Sequence, residues 1–167
     1  YTGAVDLAGT NAAFTSSIIK GHNAGVYLSG DNSVDLAGSS VWAVNGPAFA
    51  VASGTQHILL QNGSSASSLT GELLTAKKGS DVALTLNASH AAGDIRAEDS
   101  AVVDVVLANG SQLSGGMTNV NSLSLDGTSR YEMTANSDIN ALSLAGGTVK
   151  FAAGEEYGTL TAGTVAG

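Results

Sequence analysis

Three histidines, His22, His57 and His90, stand 35 and 33 residues apart in a chain that also carries 21 serines. Such residues can ligate a metal or pair as nucleophile and base. The loops that make a serine reactive are missing, since neither Gly-Asp-Ser-Gly nor Gly-x-Ser-x-Gly occurs. On successive turns of a repeat the histidines would form a metal-binding or pH-sensitive stripe along one side. Read as surface corner residues they need no ligand, and this reading is preferred, because metal ligands need a short fixed reach and usually a carboxylate behind them. Calcium would suit the acidic balance, but the Gly-Gly-x-Gly-x-Asp nonapeptides that hold it in β-rolls are absent. Asp31, Asp35, Asp94, Asp99, Asp104, Asp126 and Asp138 are dispersed, mostly beside Gly or Ser, which predicts Asx-type turns or a solvated face. Glu155 and Glu156 are neighbours only in sequence, and adjacent strand residues point to opposite faces. Tyr27, Trp42, Tyr131 and Tyr157 are the residues able to stack on a sugar ring. Trp42 is expected to pack in the interior or a cap, Tyr131 and Tyr157 within the core. No Cys is present, which excludes a disulfide scaffold and a thiol nucleophile. The expectation is a protein without catalytic residues, metal or cofactor, and not an enzyme.

The elements that hold these residues are unusual in composition. Of 167 residues, 94 are Ala, Gly, Ser, Thr or Asn, with one Pro and one Trp. Hydrophobic content of 43% with 12% charge is the reverse of the composition that keeps chains disordered. A formal charge of -8 with six scattered Lys and Arg argues against nucleic acid as a partner. No apolar run reaches the roughly 18 residues of a membrane-spanning helix, and no basic stretch leads into an apolar leader. The chain reads as a slice of something longer, and the lack of Cys suits export through an oxidising space.

Apolar residues alternate in short pieces such as Val5-Asp6-Leu7, Val34-Asp35-Leu36 and Leu123-Ser124-Leu125, which predicts half-buried strands. Turn formers separate them, among them Gly30-Asp31-Asn32, Asn62-Gly63, Asn109-Gly110 and Gly146-Gly147. The apolar positions then fall into columns. Val105, Leu123, Leu142 and Leu160 follow at 18, 19 and 18, with Leu107, Leu125, Leu144 and Ala162 two residues behind. Leu113, Tyr131 and Val149 form a second column, and Val120, Ile139 and Tyr157 a third. Three columns per repeat mean three strands per turn. The first half keeps a longer step, with Val5, Leu28, Val51 and Leu74 at 23, Val34, Ile58 and Val82 at 24, and Ile18 to Val41 at 23. The prediction is an all-β, right-handed parallel β-helix, a three-sided β-solenoid of about eight coils. Residues 1–96 would form the coils of period 22–24, and 97–167 those of period 18–19 with a C-terminal cap. The change of register is placed at 87–101, where Asn87 to Gly93 looks least strand-like.

The stretch 122–151, SLSLDGTSRYEMTANSDINALSLAGGTVKF, resembles the C-terminal passenger region of pertactin-like autotransporters. In that family a Leu-x-Leu strand, an aromatic-led strand with Ser and Ile at fixed offsets, and a Leu-x-Leu-x-Gly-Gly-Thr-Val-x-Phe strand follow one another. They match Leu123-Ser124-Leu125, Tyr131 through Ser137-Asp138-Ile139, and Leu142 through Phe151. Tyr157 to Thr161 continues the pattern, while Ala24 to Gly30 and Asn45 to Val51 resemble coil openings more loosely. Tyr131 stands where the family often has Trp, which keeps an aromatic in the stack.

The resemblance implies type V secretion through the protein's own C-terminal outer-membrane β-barrel, with export C-terminus first. It implies a surface-exposed or subsequently released passenger of a virulence factor. This segment would be its autochaperone region, which folds early and templates the rod. A one-dimensional stack has a costly first coil and cheaper later ones, so the most regular segment, 102–162, should close most readily. The folding-nucleus candidates are Leu123, Leu125, Tyr131, Leu142, Leu144, Val149, Phe151, Tyr157 and Leu160. A second expectation is a cell-surface adhesin whose loops bind a host surface or cytoskeletal protein or mediate self-association. A polysaccharide-processing enzyme stands third.

Overall fold

The computed structural model describes residues 3–154 and 158–167. Its regular structure is all β, in repeats of three strands. The first turn is β1 (Val5–Ala8), β2 (Asn11–Thr15) and β3 (Ile18–Gly21), and the second is β4 (Val26–Ser29), β5 (Asn32–Ala37) and β6 (Ser40–Ala43). The third comprises β7 (Phe49–Val51), β8 (Thr55–Gln61) and β9 (Ser65–Ser68), and the fourth β10 (Glu72–Ala76), β11 (Asp81–Asn87) and β12 (His90–Ala92). The fifth is β13 (Asp94–Ala97), β14 (Val102–Ala108) and β15 (Gln112–Gly115), and the sixth β16 (Met117–Thr118), β17 (Val120–Leu125) and β18 (Arg130–Met133). The seventh has β19 (Ser137–Ser143) and β20 (Thr148–Phe151), and β21 (Leu160–Ala166) ends the stack.

Strands three apart pair in parallel through β18 and the last ones two apart, giving a first face of six strands, a second of eight ending in β17-β19-β21, and a third of seven. The molecule is a three-sided parallel β-helix of about seven turns, one fewer than the spacing predicted. Alternation explains how such short strands bury a core. In β14 the inward residues Val103, Val105 and Leu107 are fully buried while the residues between them face out. On the second face one inner ladder runs Ala12, Val34, Ile58, Leu84, Val105, Leu123, Leu142, Val165. On the third face it runs Ile19, Val41, Ala66, Ala91, Leu113, Tyr131, Val149.

These ladders confirm the steps of 18 and 19 at Val105, Leu123 and Leu142 and correct several others. Val5 pairs with Val26 and Leu7 with Leu28, a step of 21. Leu74 pairs with Phe49, a step of 25, and Leu84 with Ile58, a step of 26. Leu142 meets Val165, and Ile139 meets Ala162, so the last step is 23. The misassignments at Val5, Leu74 and Leu84 leave the same face inward, because side chains alternate with period two and an even slip is invisible to hydropathy, whereas Leu160, expected to stack on Leu142, pairs with Ser137 instead. The odd slip at Ile18 is visible. Ile19, 6% exposed, is the partner of Val41, whereas Ile18 is 83% exposed and pairs with Ser40.

The coil shortens at one corner. Ile95 and Met117 are paired at 22 residues, but Asp104 and Ser122 at 18. The difference lies between the first and second faces, where residues 97–101 of the fifth turn give way to Asn119 alone in the sixth. Asn119 holds φ 57° there. Its side-chain amide donates to the carbonyls of Ala97 and Glu98, and its N–H to Asp138 Oδ1. The stretch 87–93, expected to be the least strand-like, instead supplies β12, and β13 follows it directly. Ala and Ser there are weak strand formers taken singly, but Ala91 and Ile95 still fill inward positions.

Candidate functional site: the C-terminal coils

The fifth to seventh turns are built around Leu123 and Leu125 on the second face and Tyr131 on the third, all 0% exposed. Met117 and Met133, which the column arithmetic did not single out, are buried beside them. The Tyr131 ring lies inside the coil because its strand places it at an inward position between Leu113 and Val149. A buried phenol needs partners, and it has two. The Tyr131 hydroxyl lies 2.8 Å from the Gly115 carbonyl, to which it donates, and 2.8 Å from Ser137 Oγ. Ser137 Oγ also accepts the Met117 N–H at 3.0 Å and lies 3.1 Å from the Ala135 carbonyl. The sixth and seventh turns are therefore tied through the core as well as along their edges. Burial pushes the Tyr131 phenol up to about 12, against a smaller opposing effect of Ser137.

Asp126 makes a second tie at the corner between β17 and β18. Its carboxylate accepts the Asn109 N–H at 2.6 Å from the turn before, then the Thr128 N–H and the hydroxyls of Thr128 and Ser129. The Asn109 N–H and the two hydroxyls hold it well below the usual carboxylate range. Asp31, Asp94 and Asp138 likewise accept backbone N–H groups of Thr55, Gly116 and Asn119. Of these four, Asp126 alone also makes the expected local Asx-type bond, to the Thr128 N–H; the other backbone donors lie in neighbouring turns.

A serine ladder along the same corner escaped the sequence reading. Ser39, Ser64, Ser89, Ser111 and Ser129 are buried there in successive turns. Ser17 and Ser39 donate their N–H groups to the hydroxyls of Ser39 and Ser64, and Ser89 to that of Ser111. Several follow a residue in the left-handed region, including Ser16, Ala88 and the Asn62-Gly63 and Asn109-Gly110 pairs. The three Asn-x-Ser sequences at Asn62, Asn87 and Asn109 are this corner repeated. Five Ser at steps of 25, 25, 22 and 18 carried the signal, hidden among 21.

The remaining candidates divide sharply by exposure. Leu142 is 5% exposed, Leu144, Val149 and Leu160 are half-buried, and Phe151 is 49% exposed at the end of the stack. Tyr157, like Glu155 and Glu156, lies outside the described residues. An ion pair of 2.7 Å joins Lys150 Nζ to Glu132 on the outer side of the third face.

The residues with chemical potential are not brought together. His22 sits on a corner, its Nε2 3.0 Å from Asn45 Nδ2, while His57 is on the second face and His90 on the third. They form no stripe, because 35 and 33 residues are not whole turns. Among the described residues no group of three or more His, Asp or Glu converges on a point. Trp42 points outward, against the expectation of interior packing, with Lys20 Nζ 4.9 Å from its ring. Among the described residues no helix is long and apolar enough to cross a membrane.

The fold class is therefore a three-sided parallel β-solenoid whose last turns are cross-tied. No family model, curated protein or solved structure matches the chain.

Proposed function

We propose that this chain is the C-terminal passenger and autochaperone segment of an outer-membrane autotransporter, nucleating the surface-exposed β-helix during secretion. The observation that carries the reading is the Tyr131–Ser137–Gly115 tie inside the turns of shortest step. A platform must close without help from neighbours above it. A short corner costs less loop-closure entropy, and a side-chain bridge through the core rewards closing the next coil. Later coils then add strand by strand on a formed edge, as in other linear repeat stacks. The motif resemblance over 122–151 points the same way and supplies the secretion route, the β-barrel partner and the cell-surface location. In the full-length protein, deleting 102–167 should leave the distal passenger protease-sensitive at the cell surface. A folded, protease-resistant passenger after that deletion would refute the reading.

A further inference from the structure

The outer side of the first face carries a recess that the folding role does not use. One outward ladder there runs Asp6, Tyr27, Ala50, Thr75, Arg96, Thr118. Two small residues between two large ones make a saddle, and its ends, three strand spacings apart, are about 14 Å from each other. Ala50 is only 4% exposed although it faces out, which marks it as the floor. Beside it the corners raise a wall at Ala52, Lys77 and Glu98, enclosing a recess of about 350 Å³.

The geometry points to a binding site for a neutral disaccharide unit of a glycan. The floor of Ala50 and Thr75, with the Tyr27 ring at one end, offers an apolar surface to the C–H face of a pyranose. Arg96, Lys77 and Glu98 ring that floor, and the Thr75 hydroxyl lies in it, as donors and acceptors for sugar hydroxyls. Their charges are already balanced locally, Lys77 with Glu98 at 2.7 Å and Arg96 with Asp94 at 3.2 Å. A charged sugar would have to compete with those pairs, while hydroxyls can bond to them as they stand. The volume suits a small ligand and falls at the low end of such pockets.

The test is a titration of the ¹⁵N-labelled chain with cellobiose, lactose, chitobiose and digalacturonate, read by amide shifts. The expected result is a roughly millimolar Kd for at least one neutral disaccharide, with shifts centred on Tyr27, Ala50, Thr75 and Arg96. Tyr27→Ala should weaken it about tenfold or more. Ala50→Gln, which fills the saddle from an outward position, should abolish it, and Trp42→Ala on another face should not change it. Thr75→Lys, which also blocks the recess, serves if Ala50→Gln disturbs the fold. No response to any neutral disaccharide would overturn the proposal. So would shifts spread over the whole surface, binding that persists in the blocked variants, or tighter binding of digalacturonate than of all three neutral sugars.

Discussion

The hydroxyls of Tyr131 and Ser137 lie 2.8 Å apart inside the coil, six residues apart in sequence yet on strands of different turns. Tyr131→Phe removes the donor to the Gly115 carbonyl and the partner of Ser137 while keeping the ring. The expected cost is about 1–3 kcal/mol, the price of leaving buried polar atoms unpaired. Tyr131→Ala adds a cavity and should cost about 3–5 kcal/mol. Urea unfolding followed by circular dichroism measures both.

The same phenol sets an alkaline limit. Burial raises it to about 12, from about 10 in an unfolded chain. The folded state therefore holds this proton more tightly, so its contribution is intact below pH 10 and is lost as pH rises toward 12. Stability against urea measured from pH 9 to 12 should fall less steeply in Tyr131→Phe than in the parent chain.

Asp126 sets the opposite limit. Its carboxylate is held below the ordinary range by the donors it accepts, so its contribution is present above about pH 4 and lost as pH falls through the folded value. Asp126→Ala should lower the melting temperature at pH 7 and leave less acid-dependent loss below pH 4. A calorimetric pH series on the two chains reads this.

Two buried serines should respond with opposite signs. Ser64 Oγ accepts the Ser39 N–H at 3.0 Å and lies 2.8 Å from the carbonyls of both Leu36 and Gln61, and Ser64→Ala should cost about 1–2 kcal/mol. Ser80 is as buried, but its hydroxyl has no partner among the described residues. Ser80→Ala should be neutral or stabilising by up to about 1 kcal/mol. The pair of melting curves separates a paired corner from an unpaired one.

Gly115 is fixed by close approach. A Cβ there would collide with the carbonyl of Gly93 in the turn below. Backbone cannot give way as a flexible side chain would, so Gly115→Ala should cost about 1–3 kcal/mol. Because Gly115 also accepts the Tyr131 hydroxyl, Gly115→Ala and Tyr131→Phe should be non-additive in a double-mutant cycle.

The solenoid was legible because Val105, Leu123 and Leu142 recur at nearly constant steps and must stack to be buried. Register in the first half was less legible. The Val34-x-Leu36, Ile58-x-Leu60 and Val82-x-Leu84 units look alike, and a two-residue slip keeps each of them facing in. Trp42 and Ile18 were misplaced by a single residue, where the choice of face depends on corner length rather than on hydropathy. The cross-ties were hidden for another reason. The motif names Ser137 and the turn pattern names Asp126, but neither shows that their partners Met117 and Asn109 lie in the preceding turn.

Pulse-labelled hydrogen exchange during refolding of the chain tests the central claim most directly. If the C-terminal coils are the platform, amides of β14, β15, β17, β18 and β19 gain protection first, and those of β4 to β9 follow at a slower rate. Earlier protection of β4 to β9, or simultaneous protection throughout, would contradict it.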